Sequence, residues 1–259
     1  MQAVESATVE MSSSAFSSKT YHPADLLHPQ VAPVAHGLRR FAFRMGLAGR
    51  RFAVNGVLRL RFHVREHKLW EYARGLAAVQ SGVPARVPAF RVLDFGGGAT
   101  LPVSYLARQG AEVLCLDTDP LLAGWTNQMA AKRGWKLQAS THDLTVTPAP
   151  ADWGKFDAII SFSVLEHIAK LRQAVLMERL ATLLRPGGVL ALTFDFGSEA
   201  PVADAVRDAD CVSRLVSASG LSYLDAIGFQ DTGERFALDR RYPGRRFTFA
   251  SLFLRKETR

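Results

Sequence analysis

From residue 90 onward the chain alternates short apolar runs with stretches in which apolar positions recur every three or four residues. The runs "FRVLDF" (90–95), "AEVLCLD" (111–117), "WKLQAS" (135–140), "FDAIISF" (156–162) and "VLALTFDF" (189–196) read as five buried strands. Helix signals lie between them. Thr100 can cap a helix whose first turn tolerates Pro102 and which ends at Gly110, and Asp119-Pro120 opens another by the same logic. "LRQAVLMERLATLL" forms a helix that Pro186-Gly187-Gly188 stops. Strands alternating with helices predict a doubly wound, mainly parallel sheet covered on both faces. After Phe196 the rhythm changes to one helix around 203–219 and then two β-rich runs, "GFQDTGERFAL" and "RFTFASLFLRK", joined by a turn at "YPG". That pattern predicts a terminal antiparallel hairpin and a sheet of about seven strands.

The first 85 residues do not share this rhythm. Residues 1–35 contain "SSSAFSSKT" and Pro23, Pro29 and Pro33, show no apolar period, and are expected to be mostly a disordered tail. Residues 36–85 read two ways. "VLRLRFHVR" alternates Leu58, Leu60, Phe62 and Val64 with Arg59, Arg61, His63 and Arg65, a strand period, and Asn55-Gly56 could turn a hairpin before it. It runs into "REHKLWEYARGLAAVQSG", where Leu69, Tyr72, Leu76 and Ala77 share a helical face, and helix is favoured for the segment as a whole. Residues 86–259 form the α/β domain.

Composition bounds the function. At 259 residues, 48% hydrophobic and 22% charged, the chain can bury one substantial core. No apolar run approaches the roughly 18 residues of a membrane span, and Met1–Gln30 has no basic region followed by an apolar one. The expectation is a cytoplasmic protein. Cys115 and Cys211 offer neither metal spacing nor a disulfide framework and read as buried thiols. The net charge of +8 is local: nine Lys and Arg between His36 and Lys68 face Glu66 alone, and the remaining charges cancel. An electrostatic partner is therefore to be sought at 36–68.

The richest chemistry lies in "VLDFGGGATLPVSYLARQGAEVLCLDTDP" (92–120). A glycine turn between strand and helix suits a dinucleotide, but the third position of G-x-G-x-x-G, counted from Gly96, is Leu101. S-adenosylmethionine, which has no phosphate, suits the turn better: its methionine moiety needs close backbone approach at Gly96, Gly97 and Gly98. An acid beyond the next strand should accept from ribose hydroxyls, and Asp117 stands about 20 residues after Asp94, as one βαβ unit requires.

From about Glu71 to Lys256 the chain resembles the class I S-adenosylmethionine-dependent methyltransferases, in particular their small-molecule, type 11-like members. The resemblance rests on "VLDFGGGA", Asp117, "THDL" at Asp143, "FDAIISFSVLEHI" and "LLRPGGVLALT", five motifs in register. It implies a Rossmann-like fold and S-adenosylmethionine as cofactor. By the same resemblance Asp94 anchors the glycine loop and reaches the aminoacyl nitrogen, and Asp117 with Thr118 meets the ribose. Asp143 and the Leu144 amide meet the adenine, Ser161 and Phe162 face the sulfonium, and Tyr72 sits in a lid helix. His167 is the candidate general base, with Glu166 beside it as a second catalytic candidate or a buttress of its loop. A metal-using branch of the class carries Glu-x-x-Glu-His, where this chain has Ser163, Glu166 and His167, so no metal is expected.

The resulting expectation is methyl transfer to oxygen or nitrogen of a small-molecule acceptor. The alternative is a nucleoside-binding module that docks on membrane or RNA through its basic segment without transferring methyl. An anionic membrane surface is the favoured macromolecular contact for 36–68; nucleic acid is disfavoured, because the proline-aromatic motif of base-modifying relatives is absent after the fourth strand. An oxidoreductase reading lacks both the third glycine and a Tyr-x-x-x-Lys relay.

Overall fold

A computed structural model describes residues 16–54, 56–82, 90–238 and 241–258. The N-terminal part holds β1 (Ser18–Thr20), α1 (Ala32–Leu47), β2 (Arg51–Val54), β3 (Val57–Leu60) and α2 (Glu66–Gly82). The regular part follows as β4 (Arg91–Phe95), α3 (Leu101–Arg108), β5 (Glu112–Asp117), α4 (Pro120–Arg133) and β6 (Leu137–Thr141). Next come β7 (Phe156–Phe162), α5 (Lys170–Leu183), β8 (Leu184–Phe196), α6 (Ala209–Ser219), β9 (Ser222–Tyr223), β10 (Phe229–Gln230) and β11 (Thr248–Arg255). The main sheet runs β10-β1-β11-β8-β7-β4-β5-β6, with β9 also paired to β11, and β4 to β8 are mutually parallel. The five apolar runs are these parallel strands. They are buried because helices cover both faces, so continuous Val, Ile and Leu replace a two-residue alternation.

The antiparallel partner of the parallel strands is β11, in register with β8 from Thr248↔Phe196 to Arg255↔Val189. Its other neighbour differs from the expected hairpin. The run 228–238 supplies only β10 and an isolated bridge, Phe236↔Phe247, whereas β1 pairs with β11 through Lys19↔Ser251 and Thr20↔Ala250. With β1 and the two-residue β9 and β10 included, the sheet has nine strands among the described residues.

The expectation of a disordered tail to residue 35 fails from residue 16 onward; residues 1–15 lie outside the described residues, as does the 85/86 boundary. Ser17, Ser18, Lys19 and Thr20 are all buried. Their polar side chains serve the sheet: Ser18 Oγ accepts from the Phe253 amide at 2.9 Å, and Ser251 Oγ donates to the Lys19 carbonyl at 3.1 Å. A three-residue strand of Ser, Lys and Thr has no apolar period to read, and its order comes from these long-range bonds.

The same strap fixes α2. Asp25 accepts from Lys19 Nζ at 2.9 Å, Trp70 Nε1 at 2.8 Å and Arg74 Nη1 at 3.3 Å, while Tyr21 donates to Glu66 at 3.0 Å. Arg74 also donates to the Ser17 carbonyl and lies beside the Trp70 and Phe253 rings. Helix α2 is consequently buried nearly all round, including Glu71 and Arg74, far beyond the Leu69, Tyr72, Leu76 and Ala77 face.

Between α1 and α2 the favoured all-helix reading of the basic segment gives way to a hairpin, β2 paired antiparallel with β3 from Arg51↔Leu60 to Val54↔Val57. The alternation of Leu58 and Leu60 with Arg59 was the true period, and Asn55 at the turn lies outside the described residues. The Ala53 amide donates to the Ala99 carbonyl at 2.8 Å, seating the hairpin against the loop after β4. No helix among the described residues is long and apolar enough to cross a membrane.

Candidate active site

The carboxyl ends of β4, β5, β6 and β7 meet along one edge of the sheet, the place where open α/β sheets bind ligands. Beyond Phe95 the chain turns at Gly96, whose φ of +80° and whose close approach to Val164 exclude a side chain; a Cβ there would lie 2.6 Å from Val164 Cγ1. A Cβ on Gly97 would run into the Asp94 carboxylate, and one on Gly98 would come 2.5 Å from Asp117 Oδ2. Backbone alone fits between these two acids. Ala99 follows at φ +58°, and Ser163, across the site, stands at φ +54°. These are the only non-glycine residues with positive φ among the described residues, and backbone strain of this kind collects at functional sites.

Asp94 is 1% exposed and accepts from Cys115 Sγ at 3.1 Å and from the Gly97 amide. Burial pushes its pKa up to about 7; the Cys115 thiol works against that shift and Asp117 adds to it. Asp117 braces the loop, with Oδ2 accepting from the Gly98 amide and Oδ1 from the Asp119 amide, each at 2.9 Å. A carboxylate oxygen can accept more than one bond, so both retain capacity toward a ribose. Thr118 is exposed next to it, and Asp119 caps α4 through the Leu121 amide.

Register Asp117↔Thr141 brings the end of β6 alongside, and Asp143 and Leu144 follow two and three residues later. Asp143 Oδ1 accepts from the Thr145 amide at 2.8 Å, and the Leu144 carbonyl accepts from Arg179 at 2.6 Å, so the turn is held from behind. Ser161 is different. Its hydroxyl donates to the Phe95 carbonyl at 2.8 Å and is 3% exposed, so it ties β7 to the glycine turn. Phe162 is partly exposed, with Tyr72 of α2 across from it at 5.7 Å between ring centroids. Burial raises the Tyr72 pKa, and the Lys68 charge works against that shift.

The loop after β7 carries the remaining candidates. His167 is exposed; partial burial, and then the Lys68 charge, lower its pKa, so the imidazole is neutral near pH 7. Glu166 is 2% exposed, its Oε2 has no hydrogen-bond partner among the described residues, and burial with Asp195 nearby raises its pKa well above the carboxylate range. Its carboxyl is thus set beneath the loop, not beside an exposed acceptor.

Sequence reasoning missed the ionic group behind this loop. Glu71 is fully buried and accepts from Ser163 Oγ at 2.6 Å and Thr193 Oγ1 at 2.7 Å, and Lys68 Nζ stands 2.8 Å from it and 2.5 Å from Ser163 Oγ. The signal was there: Lys68 and Glu71 are three apart on a helix, but such pairs are common on solvated faces. Among the described residues no group of three or more His, Cys, Asp and Glu is gathered as a metal ion would need.

The cradle fits S-adenosylmethionine. It leaves room only for close backbone approach, and it is flanked by two carboxylates that suit an ammonium and a ribose diol but would repel a pyrophosphate.

Comparison with known proteins agrees. Residues 93–192 match the family model described as a methyltransferase domain. The ubiquinone biosynthesis O-methyltransferase of Xylella fastidiosa (strain 9a5c) is 34% identical over 151 residues, 56% of this chain and 58% of that protein. Its counterpart in Xanthomonas campestris pv. campestris (strain B100) is 33% identical over 56% of this chain and 60% of that protein. The chain thus spans a little over half the length of these curated relatives. Among solved structures, TehB from Haemophilus influenzae aligns with a TM-score of 0.54 at 16% identity, covering 71% of this chain and 61% of that one. The [4+2]-cyclase SpnF aligns at 0.55 and 18% identity, covering 73% and 83%. Over residues 93–192 the α/β domain of this chain is thus similar to a methyltransferase domain, and its fold is that of the solved structures it aligns with.

Proposed function

We propose that the protein transfers the methyl group of S-adenosylmethionine to an oxygen or nitrogen of a small-molecule acceptor. The observation that carries this reading is the backbone-only cradle at Gly96–Gly98 between Asp94 and Asp117, closed on one side by Val164, three residues before His167. When bound, S-adenosylmethionine supplies a methyl group on a sulfonium that is already a good leaving group. Asp94 would hold the aminoacyl ammonium, Asp117 and Thr118 the ribose hydroxyls, and Asp143 with the Leu144 amide the adenine. Phe162 and Tyr72 would exclude water from the transfer path. His167 would take the acceptor proton, and alignment of acceptor and methyl would supply much of the remaining rate. Glu166, buried with its pKa raised by burial, would buttress the loop that presents His167.

The relatives named as ubiquinone biosynthesis O-methyltransferases favour oxygen over nitrogen as the atom methylated here. The test is methyl-labelled S-adenosylmethionine incubated with the full chain and a mixed small-molecule extract. Label is expected in a small organic product. Tight S-adenosylhomocysteine binding with no labelled product from any extract would favour the nucleoside-binding alternative.

The basic segment supports a second, peripheral role. Phe43, Leu47, Val57, Leu60 and Phe62 are exposed, with the Phe43 and Phe62 rings in edge contact at 6.4 Å. Arg39, Arg40, Arg44, Arg51 and Arg59 are exposed on the same helix and hairpin. Aromatic and aliphatic side chains interleaved with arginine suit the interface of an anionic bilayer, each arginine contributing about 1 kcal/mol near the surface. Co-sedimentation with anionic vesicles is expected at low salt and to fall as salt rises. Arg39→Glu/Arg40→Glu should weaken it about tenfold or more, in line with reversing two such charges. Equal binding to neutral vesicles, or none at low salt, would contradict this role.

A further inference from the structure

We propose that Lys68 is the acceptor-binding residue of this site: its ammonium receives the oxygen to be methylated as an anion, which selects acceptors with an acidic hydroxyl. The proposal rests on the methyl-transfer reading above.

Lys68 lies on α2, one turn before Tyr72, and reaches toward the loop after β7. An ammonium has three N–H donors. Lys68 Nζ forms an ion pair with Glu71 Oε1 at 2.8 Å and donates one hydrogen bond, to Ser163 Oγ at 2.5 Å, so that among the described residues it keeps donor capacity to spare. The side chain is 25% exposed, and its Nζ lies over the Phe249 ring at 5.2 Å from the centroid. Neutralising Glu71 does not account for all of this. Glu71 already accepts from the Ser163 and Thr193 hydroxyls, and Ser163 is held in a strained left-handed conformation to make its bond. The fold thus spends strain and two hydroxyls on the carboxylate that orients the lysine.

The titratable groups around Lys68 come from three elements: Glu71 and Tyr72 on α2, Glu166 and His167 on the loop after β7, and Asp195 near the end of β8 beside Glu166. Burial opposes the ammonium, but the Glu71 carboxylate outweighs it and holds its pKa above the ordinary lysine range. Lys68 is therefore a cation bonded to Ser163, four residues before His167 on the same loop, and its charge lowers the His167 pKa. An acceptor O–H placed between them gives its proton to a His167 ring nitrogen, and the negative charge gathers on oxygen against Lys68. An oxygen lone pair then forms the O–CH₃ bond as the CH₃–S bond breaks and its electron pair stays on sulfur. An amine acceptor develops no negative charge and gains nothing from the cation.

The probe is 4-nitrophenol, whose phenolate has its own absorption band, added to S-adenosylhomocysteine-saturated full-length protein one pH unit below the free phenol's pKa. Wild type should increase the phenolate band, and Lys68→Arg should retain most of the effect. Lys68→Met should weaken probe binding about 10- to 100-fold, the range for a hydrogen bond to a charged group, with S-adenosylhomocysteine affinity within about threefold of wild type. Lys68→Met/Glu71→Gln removes both charges, so the buried carboxylate is not left unpaired; it should fold and show the same loss of the band. Phenolate binding unchanged in either methionine variant, or no ionisation of the probe by wild type that binds S-adenosylhomocysteine, would overturn the role of Lys68. Failure of wild type to bind S-adenosylhomocysteine would instead overturn the methyl-transfer reading beneath it.

Discussion

His167→Ala is expected to lower turnover by about 10²- to 10⁴-fold, the usual contribution of a positioned general base, while S-adenosylhomocysteine affinity changes by less than about threefold. The imidazole is exposed at the loop after β7, is held neutral by partial burial and the Lys68 charge, and makes no side-chain hydrogen bond among the described residues. Nothing in that geometry gives it a structural task. The check is kcat against pH with the true acceptor: wild type should lose activity as His167 protonates below its lowered pKa, and the alanine variant should lack that limb. A loss of less than about threefold would return His167 to the surface.

Asp25→Ala is expected to cost about 3 to 5 kcal/mol of stability, the range for removing one partner of a buried ion pair. Asp25 holds Lys19, the Trp70 indole and Arg74 together, and Arg74 is 1% exposed. Burial pushes the Arg74 pKa down to about 10 and the Asp25 carboxylate opposes that shift, so removing Asp25 leaves a desolvated guanidinium with less compensation. Equilibrium unfolding in urea reads the change directly. A loss below about 1 kcal/mol would mean that the strap of residues 17–25 adds little to the fold. Because the strap sets α2, the variant should also lose S-adenosylhomocysteine affinity through displaced Tyr72.

The two variants mark what the sequence did and did not reveal. The parallel strands were readable because each is a continuous apolar run bounded by a cap or a glycine, and the cradle because three glycines between two acids leave few alternatives. Asp94, Asp117, Gly96, Gly97 and Gly98 lie together at one turn, and Tyr72 meets Phe162. Ser161 was placed correctly on its strand, but its hydroxyl turns inward to Phe95, a direction no linear pattern encodes. β1 was invisible because three polar residues carry no period and gain order from partners more than 230 positions away. Lys68 and Glu71 were passed over because a charged pair at three-residue spacing reads as solvated until the strap and β8 are folded over it. The basic hairpin was legible from its alternation but was outweighed by the helical signal of the segment it joins.

The most direct test of the cradle is calorimetric titration of the full chain with S-adenosylhomocysteine at pH 8 and at pH 6. A single site is expected, weaker by about tenfold at pH 6, because Asp94 with a pKa of about 7 must be ionised to meet the ligand's ammonium and binding at the lower pH must first expel its proton. Asp117→Ala should reduce the affinity by about 1.5 to 3 kcal/mol at pH 8, the range for hydrogen bonds to a charged group, with the protein still folded. No binding by wild type, or an affinity unchanged by Asp117→Ala, would contradict the assignment of this loop to S-adenosylmethionine.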